Sequence, residues 1–157
     1  MNSVENSNHN RSKSKAKNSA SCLCGAVQFE VHEFMPLVAH CHCRMCQKFH
    51  GAAFSTFAEA NRQDLTWKAG QEMLSHYTAE NQSVRSFCKQ CGASLFFESR
   101  FNRAQQTVEV ALAAFDQLET IHPDAHIFWQ SKVNWFTAND DLVRYLAYRD
   151  SGNCTNK

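Results

Sequence analysis

Hydrophobic and polar residues alternate along the chain with the period of two that is typical of β-strands. The clearest case lies between residues 25 and 32, where Val27, Phe29 and Val31 are separated by polar side chains. A strand with this pattern buries one face and leaves the other to solvent. Pro36 interrupts the pattern, and the strand is predicted to end before it.

Other short segments, rich in β-branched or aromatic residues, are also predicted to be strands. They are residues 52–58, 64–68, 73–78, 83–87, 94–98, 107–111 and 126–130. The chain contains no long stretch with the 3.6-residue period of a helix. Single helical turns are predicted only at 44–48, 59–62 and 116–118, and Asp140 with Asp141 is predicted to cap a short final turn. The pattern therefore predicts one all-β or β-rich domain.

The length of 157 residues fits a single domain, and the hydrophobic share of 43% with 12 Phe is enough for a core. Residues 1–19 differ, because they are rich in Asn, Ser and Lys and contain few apolar side chains. Such a segment cannot bury enough surface to offset its ordering entropy. We therefore expect a disordered basic tail over 1–19, a folded domain over 20–148 and a flexible end over 149–157.

The net charge of +1 shows no strong bias toward nucleic acid or an anionic membrane. No apolar run approaches the ~20 residues that a membrane-spanning helix needs. The N-terminal residues also lack the apolar segment of a signal peptide. We expect a cytoplasmic protein that binds neither nucleic acid nor a membrane.

Cysteine is the unusual feature of the composition, with eight in 157 residues. Seven lie in three tight clusters, which are Cys22 with Cys24, then Cys41, Cys43 and Cys46, then Cys88 with Cys91. Such close pairs do not suit structural disulfides, which also need an oxidising compartment. A short turn that aims two thiolates at one ion is instead typical of zinc sites. Zinc is thus favoured over a redox dithiol role, and Cys154, in a polar ending, is expected to be a free thiol.

The clustering also predicts how many ions are bound. A closed tetrahedral site takes four protein ligands, and the only contiguous group of three is Cys41, Cys43 and Cys46, here called the trio. The other four clustered cysteines, here called the quartet, would form a closed site: Cys22, Cys24, Cys88 and Cys91. The trio would then hold a second zinc ion. Its fourth position is either open, as in catalytic zinc sites, or filled by His40, His42 or His50, and the spacing does not choose between these alternatives.

Taken in order, the cysteine motifs resemble the glutathione-dependent formaldehyde-activating enzyme family, which includes centromere protein V. The matching residues are Cys22-x-Cys24-Gly25, Cys41-His42-Cys43-x-x-Cys46-x-Lys48-x-x-Gly51, Phe87-Cys88-x-x-Cys91-Gly92, Pro123-x-x-His126-Ile127-Phe128 and Ser131-Lys132-x-x-Trp135-Phe136. The resemblance spans about residues 20–145, and the motifs together form a highly specific set.

The resemblance implies a β-rich fold of stacked small antiparallel sheets organised around two zinc ions per chain, one on the quartet and one on the trio. It also implies a carbon–sulfur lyase, whose founding activity joins glutathione and formaldehyde in S-hydroxymethylglutathione. The expected partner is therefore a glutathione-like thiol. The competing hypothesis is a non-catalytic zinc β-module that binds a small thiol or a partner protein.

A zinc ion held by three thiolates is a good acceptor for one more soft thiolate, and a thiol that coordinates it loses its proton. The trio could thus place a nucleophilic sulfur beside an aldehyde carbon. Four basic residues could meet the carboxylates of glutathione: Arg44, Lys48, Lys89 and Lys132. His42 is expected to point away from the metal, and His126 to be packed or to support the site. Five aromatic residues are expected mainly in the core: Phe54, Phe57, Trp129, Trp135 and Phe136.

Overall fold

Strands make up most of the regular structure in the computed structural model, which describes residues 18–117 and 121–150. In chain order they are β1 (Asn18–Ser21), β2 (Gln28–Val31), β3 (Val38–Cys41), β4 (Ser55–Asn61), β5 (Leu65–Ala69), β6 (Leu74–Thr78), β7 (Val84–Cys88), β8 (Ser94–Glu98), β9 (Thr107–Ala111), β10 (Ala125–Ile127) and β11 (Val143–Arg144). The helices are α1 (Arg44–His50) and α2 (Arg100–Gln105), and short 3-10 turns lie at Arg62–Asp64, Gln71–Met73, Leu112–Ala114 and Trp129–Ser131.

These strands form two sheets. The smaller sheet is antiparallel and has the order β1-β2-β5. The larger sheet has eight strands in the order β11-β10-β3-β4-β9-β8-β7-β6. Most of its pairings are antiparallel, but β10 pairs in parallel with both β3 and β11. The β-rich single domain predicted from the sequence is therefore confirmed.

The hydrophobic core combines side chains from both sheets. Val27, Phe29 and Val31 are each at most 1% exposed, which confirms the buried face predicted for this strand. The Phe29 ring lies 4.8 Å from the ring of Phe96 in the larger sheet and 5.9 Å from that of Trp67. Each such buried side chain contributes about 1.5–3 kcal/mol by leaving water.

Two local predictions were wrong. Residues 59–61 continue β4 instead of forming a helical turn, because their backbone pairs with β9, from Glu59 with Glu109 to Asn61 with Thr107. After residue 140 no helical turn follows in the described residues; Asp140 accepts a hydrogen bond from the Leu142 N–H (3.1 Å), and β11 begins at Val143. The turn predicted at 116–118 runs partly outside the described residues, and a 3-10 turn lies before it at Leu112–Ala114.

Helix α2 lies in a segment that carried no helical prediction. A capping box begins it, because the Ser99 hydroxyl accepts from the Asn102 N–H (3.2 Å) while the Asn102 side chain accepts from the Ser99 N–H (2.8 Å). Asn102 is an unusual residue for the second part of this box, where Glu or Gln is common. The helix start was therefore not recognised in the sequence.

The first strand begins at Asn18, two residues before the predicted start of the folded domain. Its side-chain amide donates to the Val31 carbonyl (3.1 Å), so this polar residue is held by the edge of the sheet. The rest of the predicted basic tail lies outside the described residues, as do Cys154 and the rest of the predicted C-terminal end from residue 151 onward. No helix in the described part of the chain is long and apolar enough to span a membrane.

Candidate metal centres and active site

The quartet brings together two loops that are remote in sequence. Cys22 and Cys24 lie in the loop after β1, whereas Cys88 ends β7 and Cys91 lies in the turn before β8. Their four Sγ atoms lie within 4.8 Å of one another, with Cys22 and Cys24 Sγ 3.5 Å apart and Cys24 and Cys88 Sγ 3.9 Å apart. A tetrahedron with metal–sulfur bonds of ~2.3 Å would separate its sulfurs by about 3.8 Å. The spacing therefore fits one metal ion.

Glycine and backbone N–H groups shape both loops of the quartet. Gly25 and Gly92 follow Cys24 and Cys91, and they adopt left-handed φ angles of 76° and 75° that favour glycine. The Val27 N–H donates to Cys22 Sγ (3.2 Å). The Ala93 N–H is the main cause that lowers the pKa of Cys91 to about 6. These N–H groups stabilise thiolates, which are the form that binds a metal.

The trio is local, because all three cysteines belong to one strand–helix junction. Cys41 ends β3, Cys43 is the N-terminal cap of α1, and Cys46 lies in its first turn. Their Sγ atoms lie within 4.8 Å of one another, and the Cys46 N–H donates to Cys43 Sγ (3.2 Å). Hydrogen bonds from Cys41 and Cys46 lower the pKa of Cys43 to about 3, while the same contacts raise the pKa of Cys41. One thiolate is thus favoured among the three, and metal binding would release the remaining protons.

All seven described cysteines are free thiols in these two groups. The two clusters can therefore hold metal ions, and their soft sulfur donors suit zinc better than Mg²⁺ or Ca²⁺. Among residues 18–117 and 121–150, no His, Cys, Asp or Glu joins the trio as a fourth member.

The three histidines considered as a fourth ligand each bond elsewhere. His40 Nδ1 bonds the Thr56 hydroxyl (2.8 Å), and His50 Nε2 lies 3.4 Å from the Ser94 hydroxyl. His42 is fully buried, and its Nε2 bonds His126 Nδ1 at 2.8 Å. The ring of His42 is thus directed toward His126, which agrees with the expectation that it points away from the metal.

A polar chain runs from His42 through His126 to Asp140. His126 is 1% exposed, and its Nε2 lies 3.1 Å from a carboxylate oxygen of Asp140. Since a carboxylate accepts, this Nε2 carries a proton, and Nδ1 is left to accept from His42. Burial first, and then His126, lower the pKa of His42 to about 4, so that its ring is neutral at pH 7. The predicted supporting role of His126 therefore has a definite geometry.

Aromatic rings enclose His42. The rings of Trp129, Phe54 and Phe136 lie 5.0, 5.2 and 5.8 Å from it. Phe57 is also buried, as expected. Trp135 is 72% exposed, so the expectation that it belongs to the core was wrong. Trp135 follows β10 and the 3-10 turn at Trp129–Ser131. It lies in a segment that forms neither a strand nor a helix, and its ring is left in solvent.

Gln47 fixes the backbone of the trio loop. Its side-chain amide donates to the carbonyl of His42 (2.6 Å) and to that of Ser131 (3.0 Å). Arg44 in turn donates to the Gln47 side-chain oxygen. Gln47 is buried, so these bonds are shielded from water and hold the loop between Cys41 and Cys43 in one conformation.

Three of the four basic residues proposed for glutathione bond other groups of the protein. Lys132 donates to the carbonyls of Val133 (2.9 Å) and Phe136 (2.6 Å), and Lys89 donates to that of Glu72 (3.2 Å). Arg44 is committed to Gln47, and Lys48 is exposed on α1.

The structure instead reveals two charged residues beneath α1, Arg85 and Glu109. In the register of the larger sheet, Arg85 pairs with Phe97, Phe97 with Glu109, and Glu109 with Glu59. Burial first, and then Glu59 and Cys46, raise the pKa of Glu109 to about 8. The strands that carry Arg85 and Glu109 were predicted from the sequence. Alternation alone would place Arg85 on the same face of its strand as Phe87. The pairing of four strands, which is not a local property of the sequence, is what brings this row together.

A cavity of about 690 Å³ lies between the quartet loop and the C-terminal end of α1. It is lined by Cys22 and Leu23 from the quartet loop and by Phe49, His50 and Phe54 from the segment that follows the trio. Such a volume suits a small-molecule ligand. The cavity thus has room for a small molecule beside the C-terminal end of α1.

The fold and these clusters define a small β-rich protein with two groups of cysteines that could hold metal ions. Residues 17–131 match the family model described as glutathione-dependent formaldehyde-activating enzyme, and the chain belongs to this family. The resemblance inferred from the cysteine motifs is therefore confirmed.

Individual relatives are distant. An uncharacterized lyase of Schizosaccharomyces pombe is 24% identical over 116 residues, which cover 74% of this chain and 81% of the relative. A putative glutathione-dependent formaldehyde-activating enzyme of Halomonas elongata is 28% identical over 123 residues, covering 73% and 76%. The crystal structure of a Rhodobacter sphaeroides protein is similar with a TM-score of 0.53 and 28% identity, covering 67% of this chain and 91% of that one. The family and these names support a lyase or a glutathione-related formaldehyde-activating function.

Proposed function

We propose that the protein is a zinc-dependent carbon–sulfur lyase-type enzyme acting on the adduct of a thiol, with glutathione and formaldehyde as the default pair. The observation that carries this proposal is the trio. It offers three convergent sulfurs, and no fourth protein ligand accompanies them among the described residues. A metal site with three protein ligands and an open position is typical of catalysis.

Each group has a part in this proposal. Cys41, Cys43 and Cys46 bind the ion, and Gln47 and His42 hold the loop that carries them. A zinc ion bound there would accept one more thiolate and would lower the pKa of the coordinating thiol. In the condensation, a bond forms between the thiol sulfur and the aldehyde carbon, the carbonyl π bond breaks, and the former thiol proton ends on the oxygen. Cleavage of the adduct reverses these changes.

The quartet has a different proposed role. It supplies four protein sulfurs, which close a tetrahedral site and leave no position for a substrate. Its members Cys24 and Cys88 lie 64 positions apart, so a bound zinc ion would tie the loop after β1 to the end of β7. We assign it to stability, and we assign the chemistry to the trio.

Cobalt substitution tests the open position. Glutathione added to the cobalt-loaded protein is expected to increase the sulfur-to-metal charge-transfer absorption. Cys46→Ser should abolish this response, whereas Cys154→Ser, which removes a cysteine outside both groups, should retain it. The zinc-loaded protein should also form or cleave S-hydroxymethylglutathione faster than the uncatalysed reaction, and Cys46→Ser should lose this acceleration.

The outcomes separate the hypotheses. A spectral response without acceleration contradicts the enzyme and leaves a thiol-binding protein. The absence of any response contradicts the open position and leaves the non-catalytic zinc β-module.

A further inference from the structure

Arg85 is almost completely buried. The residue lies on β7 and is 4% exposed. Its guanidinium carbon lies 5.0 Å from the ring centre of Phe97 and 5.9 Å from that of Phe49, and its Nη1 donates to the Ser83 hydroxyl (2.9 Å). A buried charge is costly unless an opposite charge compensates it. Arg85 therefore needs a negative partner.

The acidic residues on its sheet face do not supply that partner. Glu59 lies at the far end of the register row, where it accepts from Thr107 (2.6 Å) and Asn102 (3.0 Å). Glu109 lies nearer, but its pKa is raised to about 8 by burial, by Glu59 and by Cys46. In the register of the sheet, Phe97 stands between Glu109 and Arg85. No salt bridge joins Arg85 to a carboxylate within the described part of the chain.

Helix α1 links Arg85 to the trio. Helix α1 carries Cys46 in its first turn and Phe49 one turn later, and the ring of Phe49 contacts the guanidinium. The helix packs on the same sheet face as Arg85, since the ring centres of Phe49 and Phe87 lie 5.9 Å apart and those of His50 and Phe57 lie 5.4 Å apart. Burial lowers the pKa of His50, so this ring adds no second cation at neutral pH.

The charges of such a centre balance in a simple way. Three thiolates and one divalent ion sum to one net negative charge, which a single arginine neutralises. A fourth ligand that is a thiolate adds a second negative charge, whereas a neutral ligand adds none. In a weakly polar environment this difference is large, because the effective dielectric constant is well below that of water.

We propose that Arg85 is the charge-compensating residue of the trio, and that it lets an anionic thiolate occupy the fourth position of the bound metal. The inference rests on the proposed function and makes Arg85 a specificity-determining residue for thiolates. It acts through its charge on the metal centre, so it is a positioning residue for the substrate sulfur and takes no part in bond formation.

The test compares an anionic and a neutral ligand on the cobalt-loaded full chain. The probes are 2-mercaptoethanol, which binds as a thiolate and carries no other charge, and imidazole, which binds as a neutral ligand. Arg85→Met keeps the length and apolar body of the side chain and removes its charge. We expect it to weaken binding of 2-mercaptoethanol by roughly tenfold or more, and to change imidazole affinity by less than about twofold.

Two further variants serve as controls. Arg85→Lys retains the charge and should keep thiolate affinity within about threefold of the parent. Arg103→Met removes an arginine on α2, which bonds the carbonyls of Gln82 and Glu98, and should affect neither probe. If Arg85→Met does not fold, Arg85→Lys still decides, because a selective loss of thiolate binding in that variant contradicts a role based on charge.

Other results would overturn the inference. Equal weakening of both probes by Arg85→Met would show that Arg85 only holds α1 in place, and unchanged binding of both would show that its charge has no effect. If the parent protein binds neither probe, the proposed open position of the trio is wrong, and the proposed function fails with it. If the parent and Arg85→Met both bind the two probes equally well, only the role of Arg85 is wrong.

Discussion

Single buried polar residues determine how the trio is held. His42 lies between two of its cysteines, and its ring ends in a chain of hydrogen bonds that passes through His126 to Asp140. Both rings are at most 1% exposed, so neither can exchange its partner for water. A buried network of this kind stabilises only while every member is satisfied. His126 is therefore the residue on which the conformation of His42 depends.

Removal of the central ring should be costly. We expect His126→Ala to lower the free energy of unfolding by about 2–4 kcal/mol, because it leaves a cavity and an unpaired His42 N–H. The measurement is urea denaturation of the zinc-loaded protein. His76→Ala is the control, since His76 is exposed and its ring bonds the Ser86 hydroxyl (2.8 Å) instead of a buried network. A similar loss in both variants would contradict the importance of the chain.

Glu109 predicts a pH dependence of stability. Its pKa in the folded protein is raised to about 8, chiefly by burial, above an ordinary value of 4.5. Between these values the folded state binds more protons than the unfolded state, so stability falls as the pH rises. Glu109→Gln should remove this contribution. Relative to the parent, the variant should therefore gain stability between pH 5 and pH 8.5, values about half a unit above each pKa.

The measurement is the midpoint of urea denaturation of parent and variant at both pH values. The difference between the two proteins is compared at each pH, because the contributions of histidine titration are the same in both and cancel. Glu80→Gln, at an exposed position, is the control and should show a much smaller change. A difference between parent and Glu109→Gln that is the same at both pH values would show that the carboxyl of Glu109 titrates normally.

At the scale of elements, local patterns were predictive and long-range pairing was not. Alternation found β2 and most strands of the larger sheet, and cysteine spacing found both metal-binding groups, because each depends on neighbours in sequence. The parallel pairing of β10 with β3 depends on residues that are remote in the chain, from Ala39 with Ala125 to Cys41 with Ile127. The register row from Arg85 to Glu59 likewise needs four strands to be assembled. Charged residues on such a row look like ordinary solvent-facing positions until that pairing is known.

The two metal-binding groups differ in the elements that they join. The quartet joins the loop after β1 to the turn between β7 and β8, whereas the trio joins only β3 to the α1 that follows it. A metal ion that closes a long loop removes more entropy from the unfolded chain than one that closes a short loop. The binding energy of the quartet should therefore contribute more to folding.

Single substitutions in each group should show this difference. We expect Cys91→Ser to give largely unfolded or insoluble protein, and Cys46→Ser to retain the fold with a smaller loss of stability. Far-ultraviolet circular dichroism and denaturant titration, both with excess zinc, provide the measurement, and Cys154→Ser is the control. Cys91→Ser protein as stable as Cys46→Ser protein would contradict the assignment of the quartet.

At the scale of the whole molecule, one cavity is lined both by the quartet loop and by the helix that follows the trio. Cys22 and Leu23 line it from the quartet loop, and Phe49 and His50 line it from the helix of the trio. The stability of the quartet loop thus bears on the shape of the cavity beside the trio. The proposed division of roles is compatible with this arrangement, since the closed quartet would support one wall of the cavity.

Stepwise removal of the metal should distinguish the roles of the trio and the quartet. We expect two zinc ions per chain by elemental analysis, because two groups of convergent thiolates are present. Under increasing chelator, the trio should lose its ion first, since it offers three protein ligands against four and closes only a local loop. A chromogenic chelator should therefore report a first equivalent of zinc released with unchanged circular dichroism, and a second released together with the loss of β-structure. Cys46→Ser should contain one equivalent and show only the second step. Two results would contradict this prediction. One is the release of both ions in a single step together with unfolding, and the other is a parent protein that contains only one zinc ion.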